Sequence, residues 1–60
     1  MLTFNKIADV YEIHDQSRAF LGWLKREPKQ LDKYIFLPAE NVGLNENELN
    51  EILEELIFIN

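Results

Sequence analysis

The chain has 60 residues, a formal net charge of −5 at neutral pH and 47% hydrophobic residues. This length allows one domain at most, so residues 1–60 are predicted to form a single small domain. The absence of cysteine excludes disulfide bonds and thiolate metal sites, and the only histidine, His14, cannot form a zinc site alone. Because so small a core seldom supplies more than about 3–5 kcal/mol of stability, self-association is the remaining source of support.

The hydrophobic residues are not arranged for a membrane. No apolar run approaches the roughly 20 residues that a spanning helix needs, and residues Met1–Lys6 lack the plan of a signal peptide. We therefore expect a soluble cytoplasmic protein without a membrane partner.

Charged residues are distributed unevenly along the chain. Residues 40–60 contain six acidic residues and no basic one, whereas residues 16–33 contain five basic residues and two acidic ones. The net charge argues against nonspecific binding of nucleic acid by the chain as a whole, because the phosphate backbone attracts basic surfaces. The pattern predicts a basic middle and an acidic C-terminal end.

The N-terminal segments differ in how clearly they predict structure. Residues 1–9 are compatible with either a short strand or a helical turn, and both alternatives stay open. Val10–Ile13 is β-branched and aromatic, which predicts a strand. The polar residues 14–17 that follow predict a turn.

Two structures are compatible with the segment from Arg18 to Lys25. As a helix it would be capped by Ser17 and end before Pro28, but Gly22 in its middle would cost about 1 kcal/mol relative to alanine. As a strand it would form the second arm of a hairpin, and Gly22 would mark a bulge or the close approach of another backbone. We favour the strand.

The next segments lead to the clearest strand of the chain. Residues 26–32 are mostly charged and are predicted to form a loop. Lys33–Leu37 is short, aromatic and β-branched, and Pro38 follows it directly. This composition predicts a strand that stops at the proline.

The C-terminal segment predicts an amphipathic helix that runs to about Ile59. Asn45 is the expected N-cap, and Glu48 lies where it would complete a capping box. Leu44 and Leu49 occupy the two positions of a hydrophobic staple. Phe58 falls roughly opposite the predicted buried stripe. With Leu53 at its centre, that stripe has the helical spacing of Leu49, Ile52, Leu53, Leu56 and Ile57.

The order of these segments predicts an α+β domain, in which one C-terminal amphipathic helix packs on a three-stranded antiparallel meander. Strict alternation along the strands makes both faces of this sheet apolar, although one helix covers only one face. The other face then needs a cover from residues 2–7 or from a second molecule. In the second predicted strand, one face carries Ala19, Leu21 and Trp23 and the other carries Phe20 and Leu24. In the third, one face carries Tyr34 and Phe36 and the other carries Ile35 and Leu37.

No group of residues predicts catalysis. His14, Asp15 and Ser17 are the residue types of a hydrolase triad, but side chains so close in sequence cannot align as base, orienting group and nucleophile. A polar turn explains them better. Because Gly22 and Gly43 are isolated, no phosphate-binding loop is present.

The acidic residues of the helix have the spacing of a solvated face rather than of a cation or acid–base site. Carboxylates that carry out chemistry lie in clefts, and the calcium-loop pattern is absent. We expect no enzyme activity, no cofactor and no metal ion.

Aromatic residues accompany the basic residues in the middle of the chain. A basic sheet face with aromatic side chains is one way in which small domains bind nucleic acid. Most aromatic residues of so small a chain must nevertheless be buried. The candidate partner-binding residues are Arg18, Trp23, Lys25, Arg26, Tyr34 and Phe58.

Two resemblances concern layout and pattern alone. A three-stranded sheet backed by one helix is similar in layout to the plant AP2 DNA-binding domain, although no AP2 sequence motif is present. A hairpin with Leu21-Gly22, the strand Tyr34–Pro38 and a short acidic helix resemble small bacterial or phage proteins. Neither resemblance implies a function.

From these observations we predict a small acidic protein-binding or regulatory module that self-associates as a homodimer. The alternative hypothesis is a nucleic-acid-binding domain that uses the basic hairpin from Arg18 to Lys33. A pull-down from the native host and a salt series of nucleic-acid binding distinguish the two hypotheses.

Overall fold

A computed structural model describes residues 1–60 and contains one sheet and one helix. The strands follow one another in the sheet in the order of the chain, and every neighbouring pair is antiparallel. The α+β class with a C-terminal helix is confirmed, but the meander has four strands rather than the three predicted. The elements are β1 (Thr3–Ile7), β2 (Val10–His14), β3 (Phe20–Glu27), β4 (Gln30–Pro38) and α1 (Glu46–Ile59).

The additional strand is β1, in the segment that was compatible with a strand or a helical turn. It pairs with β2 through a two-residue turn at Ala8 and Asp9, and Ala8 has a positive φ of 56°. Four of the five residues of β1 are exposed. Backbone pairing with β2, rather than a hydrophobic pattern of its own, therefore determines this strand.

The predicted loop at residues 26–32 is wrong. Strand β3 continues to Glu27, β4 begins at Gln30, and only Pro28 and Lys29 connect them. Arg26 and Asp32 remain exposed although they belong to paired strands, so polarity alone did not distinguish strand from loop. The strand alternative for residues 18–25 is confirmed from Phe20 onwards.

Gly22 lies beside a bulge, as the strand alternative predicts. Ile13 pairs with Gly22 and His14 pairs with Phe20, so Leu21 is an additional residue in β3. Gly22 has a φ of +148°, and a Cβ atom added there would collide with the carbonyl oxygen of Leu37. Only glycine adopts this conformation at so close a backbone approach without strain.

The bulge also corrects the predicted alternation in β3. Leu21 and Leu24 both enter the core, whereas Phe20 and Trp23 lie together, with their ring centroids 4.8 Å apart. The additional residue shifts the inward and outward positions by one. In β4 the predicted alternation is confirmed, because Tyr34 and Phe36 face the core and Ile35 does not.

The core lies between the sheet and the helix. Ile13 and Leu24 are completely buried at the centre of the sheet, and Ile52 reaches them from the helix with only 2% of its surface exposed. The remaining buried hydrophobic residues are Leu2, Leu21 and Tyr34.

The predicted buried stripe of the helix is wrong in its orientation. Of the five stripe residues, Ile52 is buried and Leu56 packs against the core, but the other three are exposed. Ile59, which was not part of the predicted stripe, also packs against the core. At about 100° per residue the predicted stripe spans roughly 140° of the helix surface, more than this small sheet contacts. The exposed fractions are 49% for Leu49, 54% for Leu53 and 68% for Ile57.

Two polar contacts fix this orientation. Near the middle of α1, the Leu2 backbone N–H donates to Glu51 Oε1 at 2.9 Å. At its end, the Asn60 side chain accepts from the Tyr34 N–H at 2.7 Å and donates to the Tyr34 carbonyl at 3.1 Å. Asn60 thus pairs with the edge of β4 as a neighbouring strand would, and it satisfies backbone groups that the sheet leaves unpaired.

The predicted capping box at the start of α1 is confirmed. The Glu48 N–H donates to Asn45 Oδ1 at 2.8 Å, and the Asn45 N–H donates to Glu48 Oε1 at 3.0 Å. Leu44 packs against the core, whereas its predicted staple partner Leu49 is half exposed.

We expect Asn45→Ala to lower the free energy of unfolding by about 1 kcal/mol, because one N–H at the helix N terminus loses its acceptor. Asn47→Ala is the matched control, since Asn47 is exposed and is not part of the capping box. Urea denaturation followed by circular dichroism measures both. Equal losses for the two variants would contradict the assigned cap.

Candidate interaction surface

The face of the sheet opposite the helix has no element over it. The helix covers the face that bears Tyr11, Ile13, Leu24 and Tyr34, and β1 extends the sheet at its edge instead of folding across it. The N-terminal alternative for covering the second face is therefore excluded. We call this uncovered side the open face, and its central residues are His14, Phe20, Trp23, Lys25, Ile35 and Leu37.

Three aromatic rings contact one another in a row on the open face. The Phe20 ring meets Trp23 at 4.8 Å between centroids and 71° between planes, an edge-to-face contact. The His14 ring lies 5.5 Å from Phe20 on the other side. Such contacts hold the rings in defined positions at the surface.

Aliphatic and charged groups surround the rings. Trp23 pairs across the strands with Glu12 on one side and Leu37 on the other, and Lys25 pairs with Ile35. The Lys25 ammonium group lies 4.6 Å from the centre of the Trp23 ring, in cation–π contact. The open face thus combines a hydrophobic centre with one acidic and one basic group.

The structure does not bring the six candidate partner-binding residues together. Trp23 and Lys25 lie on the open face. Arg26 and Tyr34 lie on the helix side, where the guanidinium group stacks 5.0 Å from the Tyr34 ring and Tyr34 is only 8% exposed. Tyr34 is a core residue.

The other two candidates lie at separate places. Arg18 is in the turn between β2 and β3, where it has a positive φ of 70°. Phe58 projects from α1 and is 85% exposed. The basic residues of the hairpin are divided as well, because alternation places Lys25 and Lys33 on the open face but Arg26 on the opposite one.

Sequence reasoning missed Phe20 and His14 as members of the open face. Strict alternation placed Phe20 on the other side of the sheet from Trp23, and His14 was assigned to a turn. The signal was Gly22, because a bulge at this glycine brings Phe20 to the side of Trp23.

The polar turn predicted at residues 14–17 is confirmed only after His14, which ends β2, and Asp15 organises the turn. Its Oδ1 accepts from the Ser17 hydroxyl at 2.7 Å and from the N–H groups of Ser17 and Ala19 at 2.9 Å. The bond from the Ser17 hydroxyl, followed by that from Ala19, holds the pKa of Asp15 below its ordinary value. Ser17 donates to Asp15, and the His14 ring packs on Phe20, so these residues do not form the chain of contacts of a triad.

The acidic side chains of α1 line shallow depressions. One lies between the helix N terminus and the β2–β3 turn, and the other is bordered by Phe4, Phe58 and three glutamates. No three acidic or histidine side chains are close enough to hold a metal ion.

The helix lacks the length and hydrophobicity that crossing a membrane requires. Comparison of the chain with protein-family models, with curated proteins and with solved structures found no match. The layout similarity to the AP2 domain also weakens, because the sheet has four strands.

Proposed function

We propose that this protein is a small cytoplasmic protein-interaction module that self-associates through the open face. The observation that supports this proposal is the placement of Phe20, Trp23, Ile35 and Leu37 on the side of the sheet away from the helix. Soluble monomers seldom expose a contiguous apolar patch of this kind unless it binds something.

The charges of the open face favour a second copy as its occupant. Glu12 lies beside Trp23 on β2, and Lys25 lies two residues further along β3, so a two-fold axis that runs near Trp23 and diagonally to the strands would bring Glu12 of one copy towards Lys25 of the other. Two-fold dimers need such a self-complementary patch. Five of the eleven acidic residues lie on the helix, on the far side of the sheet from this contact.

The size of the molecule limits the expected affinity of the dimer. A standard interface covers about 800 Å² on each partner, nearly a fifth of the 4484 Å² surface of this chain. The open face is one side of a four-stranded sheet in which β1 and β2 have only five residues each. We therefore expect a dimer that dissociates in the micromolar range.

The first test is sedimentation equilibrium over the micromolar range. We expect the average mass of the wild-type protein to rise with concentration, and Trp23→Thr to lower it at every concentration because it removes the central ring. Phe58→Gln is the control, since Phe58 is 85% exposed on the helix side. Circular dichroism verifies that each variant is folded.

Trp23 also provides a readout without mutation, because it is the only tryptophan of the chain. Its fluorescence emission should shift to longer wavelength when the wild-type protein is diluted and the ring returns to water. A strict monomer, or a Trp23→Thr variant that associates like the wild type, would overturn the proposal.

The second candidate function is binding of single-stranded nucleic acid to the same face. The observation in its favour is the presence of Lys25 and, by alternation, Lys33 on the same face as half-buried aromatic rings. The protein interaction is favoured because Lys25 already lies over the Trp23 ring, where a base would have to displace it to stack. The net charge of −5 also opposes binding to phosphates.

Salt distinguishes these functions. Nucleic-acid affinity falls steeply as salt rises, and Lys25→Gln should then reduce the slope. Self-association should depend only weakly on salt, because screening weakens both the repulsion between copies that each carry a charge of −5 and the attraction between Glu12 and Lys25. Tight binding of an oligonucleotide at low salt, measured by fluorescence anisotropy, would support the second function over the first.

A further inference from the structure

We infer that the helix carries a second self-association surface, formed by the exposed row Leu49, Leu53 and Ile57 and occupied by the same row of another copy. These residues recur every fourth position along α1 and are half exposed or more. We call them the helix row. A row at this spacing forms a ridge that packs beside the equivalent ridge of a second helix, at a crossing angle of about −50°.

The helix row is self-complementary under a two-fold axis. Leu53 lies at its centre, with one branched aliphatic residue four positions before it and one four positions after it. In an antiparallel pair of helices, Leu53 meets Leu53 of the other copy, and Leu49 of each copy meets Ile57 of the other. Every side chain of the row then has an aliphatic partner, as an isologous contact requires.

The acidic residues of α1 are concentrated on the side of the helix away from the helix row. Glu51 accepts a hydrogen bond from Leu2, and Glu54 and Glu55 border the depression with Phe4, so that flank faces β1. At about 100° per residue, the helix row lies on the other side of the helix. The acidic residues nearest the row are Glu46, in the first turn, and Glu54, which lies one turn before Ile57 on the side towards β1.

This segregation of charge argues for a second copy. Two acidic helices can approach closely only through a flank without carboxylates in its middle, because like charges destabilise a contact. A basic partner would instead be attracted to the glutamates that face β1. Each copy therefore offers a neutral aliphatic ridge to an identical ridge.

The inferred contact adds to the proposed self-association. The helix-to-helix pair does not depend on the open face, but assembly beyond a dimer rests on the proposed function as well. Since the two surfaces lie on opposite layers of the molecule, copies that use both would form tetramers or longer chains. Three side chains from each copy make a contact smaller than a standard interface, so it should be the weaker of the two.

The test combines one substitution in each surface and measures mass by sedimentation equilibrium. Wild-type protein should exceed the mass of a dimer at high concentration. Trp23→Thr should form dimers through the helix row, Leu53→Gln should form dimers through the open face, and the double variant should be monomeric. Phe58→Gln, the same substitution on the same helix outside the row, should assemble like the wild type.

In the Trp23→Thr background, Leu53→Gln should weaken dimerisation about tenfold or more, which corresponds to roughly 1.4 kcal/mol of lost contact. Glutamine retains good helix propensity, so circular dichroism and the thermal midpoint at low concentration should change little. In the Leu53→Gln single variant, the Trp23 emission should still shift on dilution.

The outcomes separate the two proposals. If Leu53→Gln leaves the assembly of the wild type and of the Trp23→Thr variant unchanged, the helix row is not an interface, whatever the open face does. If Trp23→Thr alone is without effect while Leu53→Gln reduces the mass, the open-face proposal is overturned and the helix contact is supported. A monomeric Trp23→Thr variant would also contradict the helix contact.

Discussion

Replacing Ile52 with alanine is expected to leave most of the protein unfolded at room temperature. Ile52 is 2% exposed and connects the helix to Ile13 and Leu24 in the core. Truncation of such a side chain removes its burial and leaves a cavity, at a cost of about 2–5 kcal/mol. This cost is comparable to the roughly 3–5 kcal/mol that so small a core supplies.

Leu53→Ala is the matched control, one residue further along the same helix. Leu53 is 54% exposed, so its truncation should change the stability of the monomer by about 0.5 kcal/mol or less. Thermal unfolding at low concentration, where self-association does not contribute, compares the two variants. A larger loss for Leu53→Ala than for Ile52→Ala would restore the helix orientation predicted from sequence.

Gly22→Ala is the second substitution expected to disrupt the fold. The added methyl group would collide with the Leu37 carbonyl oxygen and lie 3.0 Å from the Pro38 Cα atom, both in the backbone of the neighbouring strand. The positive φ of Gly22 adds strain for any residue with a Cβ atom. Together, backbone strain and overpacking should cost roughly 3 kcal/mol or more.

Gly43→Ala is the control for this substitution. A Cβ atom at Gly43 would have no neighbour within 4 Å, and its backbone does not require the left-handed region. We expect a change within about 0.5 kcal/mol, or a slight stabilisation from lower entropy of the unfolded chain. Urea denaturation measures both variants, and a fully stable Gly22→Ala protein would contradict the close approach of β3 and β4.

Local sequence signals predicted the helix cap and the strands with strong composition. The Asn45–Glu48 capping box depends on groups three residues apart, so it forms as predicted. Tyr34 to Leu37 and Val10 to Ile13 are aromatic and β-branched, and both form strands. Gly22 indicated its bulge for a similar reason, because a glycine inside a strand usually accompanies a close backbone approach.

The candidate interaction surface was only partly predictable. The presence of apolar residues on both faces of the sheet followed from alternation, and Trp23 and Lys25 were identified as candidates. Which residues join them depends on the register across β2, β3 and β4, and the single additional residue at Leu21 changes that register. Because of the same register, Arg26 and Tyr34 lie on the helix side of the sheet and not on the open face.

The sequence by itself determined the α+β class, the C-terminal helix with its cap, and the excess of apolar residues over what one helix can cover. Only the tertiary structure decided that residues 3–7 form a fourth strand, that the helix buries Ile52 rather than Leu53, and that Phe20 lies beside Trp23. The physical reason is the range of the interactions. Caps and strand propensities act over a few residues, whereas strand pairing and the orientation of a helix depend on contacts such as Leu2 with Glu51 and Tyr34 with Asn60, which are distant in the chain.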